Sequence, residues 1–172
     1  FIKLAALVSE IKKRKIHHVL VHTGQHYDLS MSKLFFDELG LPKPDEHLIS
    51  SSASRMGIDE QRNFLKNIIK VALERQKPDL VIVVGDVNST VAGAEAAHEL
   101  GIKVAHVEAG LRSFDNTMPE EINRIRTDHI SDFLFTTEES ANKNLANEGI
   151  SKKNIFFVGN VMIDTLLKHK EK

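Results

Sequence analysis

Five short apolar runs, separated by segments of helical periodicity, constrain this chain more than any other feature of its sequence. HHVLVHT (17–23), LVIVVGD (80–86), KVAHVE (103–108), FLFTT (133–137) and IFFVGN (155–160) read as strands. FIKLAALVSEIKKR (1–14) puts Phe1, Leu4, Ala5, Val8 and Ile11 on one helical face. SMSKLFFDELG (30–40) reads as a helix stopped by Gly40 and Pro42. DEHLISSSASRMG (45–57) reads as a polar loop, and the helix after it carries Leu65, Ile68, Ile69, Ala72 and Leu73. STVAGAEAAHELG, a segment at about 119–130, SANKNLANEG (140–149) and the residues after 160 complete the helices. Strands that are continuous apolar runs need helices on both sheet faces, which predicts a doubly wound, parallel, Rossmann-like α/β sheet. An eight-strand α/β barrel needs more strands than are present. The opening helix has no cap and no strand before it, whereas a parallel sheet normally begins with a strand. The expectation is therefore one lobe of a longer parent, lacking its first strand.

Composition narrows the function classes. The 172 residues carry 23 basic and 24 acidic side chains, a net charge of −1 that exerts no overall pull toward nucleic acid or an anionic membrane. No stretch approaches the eighteen or so apolar residues of a membrane span. The absence of cysteine rules out disulfides and thiolate metal sites and fits a cytoplasmic protein.

In open α/β sheets, ligands bind outside the carboxyl ends of the strands. Here those ends are polar: TGQHYD, with Gln25, His26 and Asp28; GDVNST, with Asp86 and Ser89; and HVEAGLRSFDNTMPEEINR (106–124). Asp86 through Ser89 are good helix caps, and a helix N-terminus also suits a phosphate. Neither GxxxxGK[ST] nor GxGxxG is present. His22 and His26 are four apart, but the strand-to-loop break spoils zinc geometry, so no metal is expected. In 106–124, Pro119 suits a first helical turn, and Glu120 and Glu121 sit where the helix dipole favours carboxylates. Arg124 follows Glu120 at the spacing of an exposed ion pair. Such a solvated helix start explains Glu121 and Asp115, but not Glu108 at the end of a buried strand or Arg112 beside it. Carboxylates gathered at one rim are what proton transfer requires.

HVEAGLRSF followed by MPEEINR, with VVGDVNST and TGQHYD before and FVGNVMID after, resembles the non-hydrolysing UDP-N-acetylglucosamine 2-epimerase family over practically the whole chain. The resemblance implies a glycosyltransferase-B architecture of two Rossmann-like lobes, of which this chain is the N-terminal one. The second lobe, absent here, would grip most of the UDP and add a histidine. It implies a UDP-sugar substrate, no cofactor, and a homodimer. It also implies inversion at carbon 2 by elimination and re-addition of UDP through 2-acetamidoglucal. By motif, the catalytic acids fall on Asp86, Glu108 and Glu120; which removes the proton and which returns it stays open. Substrate contacts fall on Gln25, His26, Ser89, Arg112 and Arg124, the arginines anchoring either the loop or the diphosphate. Two departures stand out. Asp28 replaces a glutamine that in bacterial members helps bind an activating substrate molecule. GDVNST is closer to relatives acting on UDP-2,3-diacetamido-2,3-dideoxy-glucuronic acid. A hydrolysing epimerase, a two-lobe glycosyltransferase and a non-catalytic nucleotide-sugar-binding module remain as other readings.

Overall fold

In the computed structural model, residues 1–24, 36, 38–48 and 56–170 are described. In chain order the elements are α1 (Ile2–Lys13), β1 (Val21–His22), β2 (Glu46–His47), α2 (Ile58–Gln76), β3 (Leu80–Val84), α3 (Asn88–Glu99), β4 (Lys103–Ala109), α4 (Pro119–Ile130), β5 (Phe133–Thr136), α5 (Glu139–Asn147), β6 (Ile155–Phe157) and α6 (Val161–His169). They fall into two compact units, Phe1–Ser54 with Asn160–Lys172, and Arg55–Gly159. This is the expected α/β class, with every strand pair parallel.

In the first unit, α1 buries Ala5 and Val8, two positions of its apolar stripe, against Leu41. Phe1, Leu4, Phe36 and Leu39 pack around them. α6 lies against α1, and the Thr165 hydroxyl donates to the Ile2 carbonyl at 2.9 Å. The strand expected over 17–23 is shorter, only Val21–His22, and it pairs with β2. β2 lies inside the stretch read as a polar loop. Its two residues pair through backbone and not through apolar side chains, and Asp45 accepts the Leu20 N–H to hold the approach. The helix expected over 30–40 falls largely outside the described residues; positions 36, 38 and 39 are helical.

The second unit holds a four-stranded sheet in the order β3-β4-β5-β6. Each crossover steps one strand in the same direction, so right-handed connections carry α3, α4 and α5 on one face. Beneath them Val83, His106, Leu134 and Ile155 lie in register across the four strands. The opposite face carries Ile82, Ala105, Phe133, Phe135 and Phe156, with Ile82 still 44% exposed. β4 is the core strand, buried at every position after Lys103. α2 packs along α3, where Lys66 and Lys70 both reach Glu99, at 2.7 and 2.9 Å. Among the described residues, no helix is long and apolar enough to cross a membrane.

Candidate active site

The carboxyl ends of β3 and β4 and the starts of α3 and α4 form the site. Gly85 has φ +76 at the exit from β3, which turns the chain so that Asp86 stands at the strand's end. The N-cap of α3 is Val87, whose side chain has no acceptor and makes no capping bond. Asp86 lies one residue before that cap position, and its Oδ2 is taken by Arg124 of α4. β4 ends in a register shift between Val107 and Ala109. That bulge puts Glu108 at φ +73, a conformation that costs a non-glycine residue on the order of 1–3 kcal/mol. The side chain is thereby re-aimed from the strand's plane and remains buried, with 8% of the residue exposed.

α4 supplies the cation that joins these two carboxylates. Arg124 Nη2 donates to Asp86 Oδ2 at 2.6 Å and to Glu108 Oε1 at 3.2 Å. The two acidic oxygens are thus no farther apart than those distances allow. Asn123, next on the helix, donates to the Asp86 carbonyl and to Asn88 Oδ1, both at 3.0 Å. The buried residues of α4 are Glu121, Asn123, Arg124, Thr127 and Asp128, so its inward side is polar. Ile122 points outward and is 41% exposed. An ordinary amphipathic helix is arranged the other way round.

The loop between β4 and α4 is held at both ends. Arg112 donates through Nε and Nη2 to the two carboxylate oxygens of Glu148, at 2.7 and 2.8 Å, and Nη1 pairs with Asp128 at 2.7 Å. Burial opposes the charge on this guanidinium, but Glu148 and Asp128 outweigh it and hold the Arg112 pKa above its ordinary value. With its side chain 1% exposed, Arg112 serves as the anchor of the loop. Glu121 is 2% exposed and accepts the Ser113 and Phe114 N–H groups at 2.9 and 3.1 Å. This corrects the expectation that Glu121 belongs to a solvated helix start: backbone donors, not water, satisfy it. Asp115 does lie in water, and its bonds from the Thr117 hydroxyl and N–H hold its carboxyl below the usual range.

The structure thus brings Asp86, Glu108 and Arg124 together. The expected exposed pair between Glu120 and Arg124 does not form, because the guanidinium turns inward to the strand ends. Glu120 is exposed in the first turn of α4 and makes no hydrogen bond or ion pair with any described residue. Ser89 is half-buried in the first turn of α3. Gln25, His26 and Asp28 lie outside the described residues. Among the described residues, no group of three or more His, Asp or Glu side chains is placed to hold a metal. Sequence reasoning passed over His106, Asn123 and Asp128, which support the cluster. The signal was available in polar residues at helical spacing (121, 124, 128) on a segment that had to cover a sheet.

The model of the UDP-N-acetylglucosamine 2-epimerase family matches residues 9–172. The chain belongs to that family. A UDP-N-acetylglucosamine 2-epimerase homolog of Methanococcus maripaludis is 56% identical over 167 residues, covering 97% of this chain and 45% of the relative. UDP-2,3-diacetamido-2,3-dideoxy-D-glucuronate 2-epimerase of Pseudomonas aeruginosa is 47% identical over 171 residues, covering 97% and 47%. Among solved structures, the UDP-GlcNAc 2-epimerase of Methanocaldococcus jannaschii in complex with UDP-GlcNAc and UDP superposes with a TM-score of 0.92 at 47% identity. That match covers 97% of this chain and 45% of the other. The chain spans about half the length of the epimerases it matches.

Proposed function

We propose that this chain is the N-terminal, Rossmann-like lobe of a UDP-N-acetylglucosamine 2-epimerase, acting in the cytoplasm as part of a two-lobe, glycosyltransferase-B-type protein. The observation that carries the reading is the pair Asp86 and Glu108, held beside one guanidinium where two helices begin. The proton at carbon 2 of the sugar has no neighbouring carbonyl to acidify it. Its removal is instead coupled to breaking the bond between carbon 1 and the UDP oxygen. A carboxylate takes the proton, the electron pair forms the C1–C2 double bond, and UDP leaves with the C1–O electrons. Re-addition of UDP to 2-acetamidoglucal, with a proton delivered to the opposite face, gives the epimer. Two faces require two separately placed acid/base groups, which come from among Asp86, Glu108 and Glu120. Arg124 and the N-termini of α3 and α4 stabilise negative charge on the departing diphosphate. Gln25, His26 and Ser89 complete the substrate contacts, and the protein works as a homodimer without cofactor.

A second substrate, UDP-2,3-diacetamido-2,3-dideoxy-glucuronic acid, is favoured by GDVNST and by the Pseudomonas relative. Identity does not separate the two, since an archaeal UDP-N-acetylglucosamine 2-epimerase is 48% identical to this chain. The test is turnover of each sugar by the two-lobe protein in heavy water. The epimer formed should carry deuterium at carbon 2, and Glu108→Gln should lower kcat by roughly a thousandfold. Epimerisation with full retention of protium would sink the mechanism, and unchanged kcat in Glu108→Gln would sink the assignment.

A further inference from the structure

A fully buried His–Asp pair lies behind the site and contributes no atom to it. His106, in β4, is 0% exposed and Asp128, in α4, is 1% exposed. His106 Nε2 lies 2.8 Å from the Gly85 carbonyl, which only accepts, so Nε2 carries a hydrogen. Its Nδ1 lies 2.7 Å from Asp128 Oδ1. Asp128 Oδ2 accepts the Gly110 N–H at 3.1 Å and pairs with Arg112 Nη1 at 2.7 Å. Nε2 thus donates to Gly85 while Nδ1 is bonded to Asp128, so both ring nitrogens are engaged by fixed partners on opposite sides of the ring.

The ends of this chain of contacts matter most. Gly85 immediately precedes Asp86, and Gly110 follows Glu108 by two residues, just past the bulge. Gly85 is held from both sides, since its N–H also donates to the Val107 carbonyl at 3.1 Å. We propose that His106 and Asp128 are positioning residues: a buried clamp from the β3 turn through α4 to the β4 turn that sets how Asp86 and Glu108 face each other across Arg124. Asp128 stands four residues, about one helical turn, from Arg124, so the clamp and the bridging cation move as one rigid piece of α4. The strained φ of Glu108 has a physical reason to persist here, because the surrounding bonds over-determine it.

The inference rests on the epimerase reading, and its test keeps the two apart. In the two-lobe protein, Asp128→Asn should lower kcat by roughly tenfold to a hundredfold, with KM for UDP-N-acetylglucosamine within about twofold. Combined with Glu108→Gln the two losses should not multiply, whereas combined with Glu120→Gln they should. Full kcat in folded Asp128→Asn, or losses that multiply with Glu108→Gln, would overturn the clamp. If Asp128→Asn does not fold, His106→Gln is judged by the same criteria. A wild-type protein without turnover refutes the function and not the clamp. The clamp is then judged in the 172-residue chain by the carboxyl 13C shifts of Asp86 and Glu108. Asp128→Asn should move both, and Asp132→Asn, at the far end of β4, should move neither; static shifts in Asp128→Asn overturn it.

Discussion

Glu120 and Glu121 are chemically identical neighbours, yet one faces water and the other receives two backbone hydrogen bonds. Glu121→Gln removes the charge from bonds that order the loop, and should cost about 1–3 kcal/mol in urea unfolding. Glu120→Gln should leave stability within about 0.5 kcal/mol and act on turnover alone. The reverse pattern would show that their roles are exchanged. Gly110 is a second such position. A Cβ there would meet the Ala141 carbonyl at 2.6 Å and Leu145 at 2.9 Å, and φ is +79. Gly110→Ala should therefore cost roughly 3 kcal/mol, read as a lowered urea midpoint with unchanged slope. The sequence shows clearly that 106–124 is too rich in charge for a simple connection. Residue type does not show which charges turn inward, because Glu120 and Glu121 are both glutamates in the first turn of α4. What distinguishes them is the helix face: Glu121 lies on the 121, 124, 128 side, where it meets the Ser113 and Phe114 N–H groups.

At the level of elements, α2 and α3 are joined by two lysines on one carboxylate. Bonds from Lys66 and Lys70 lower the Glu99 pKa from 4.5 to about 2. The folded value is depressed, so the stabilisation is complete above the unfolded pKa and fades as pH falls from about 4.5 toward about 2. Glu99→Gln should flatten that acid limb of a stability profile and leave the neutral-pH limb's slope unchanged. All three charges remain in contact with solvent, so the effect should be small and weaken with salt. β3 through β6 and the helices α3 to α5 were legible because apolar runs and helical spacing alternate without interruption. β2 was not: Glu46 and His47 carry no apolar signal, and their pairing with β1 is a long-range backbone event. His106 was hidden for the opposite reason, since a lone polar residue inside an apolar run reads as tolerated and not as employed.

On the scale of the whole molecule, the site presents acids and a bridging cation, while the family resemblance implies that a second lobe grips most of the UDP. Calorimetry on the 172-residue chain should accordingly give a UDP affinity in the millimolar range, near 4 kcal/mol of binding. Micromolar binding by this chain alone would favour a stand-alone nucleotide-binding module instead. The inward polar side of α4 has a further consequence for any attempt to breed a sturdier protein. Asp128 fills buried space together with His106 and Arg112, and exchanging such a bonded set together for apolar side chains is often neutral or stabilising, whereas removing one partner alone is costly. A screen that rewards heat resistance would thus enrich changes along this face. The survivors would be those in which the acids had lost their alignment, so heat tolerance and turnover should trade against each other along a single helix.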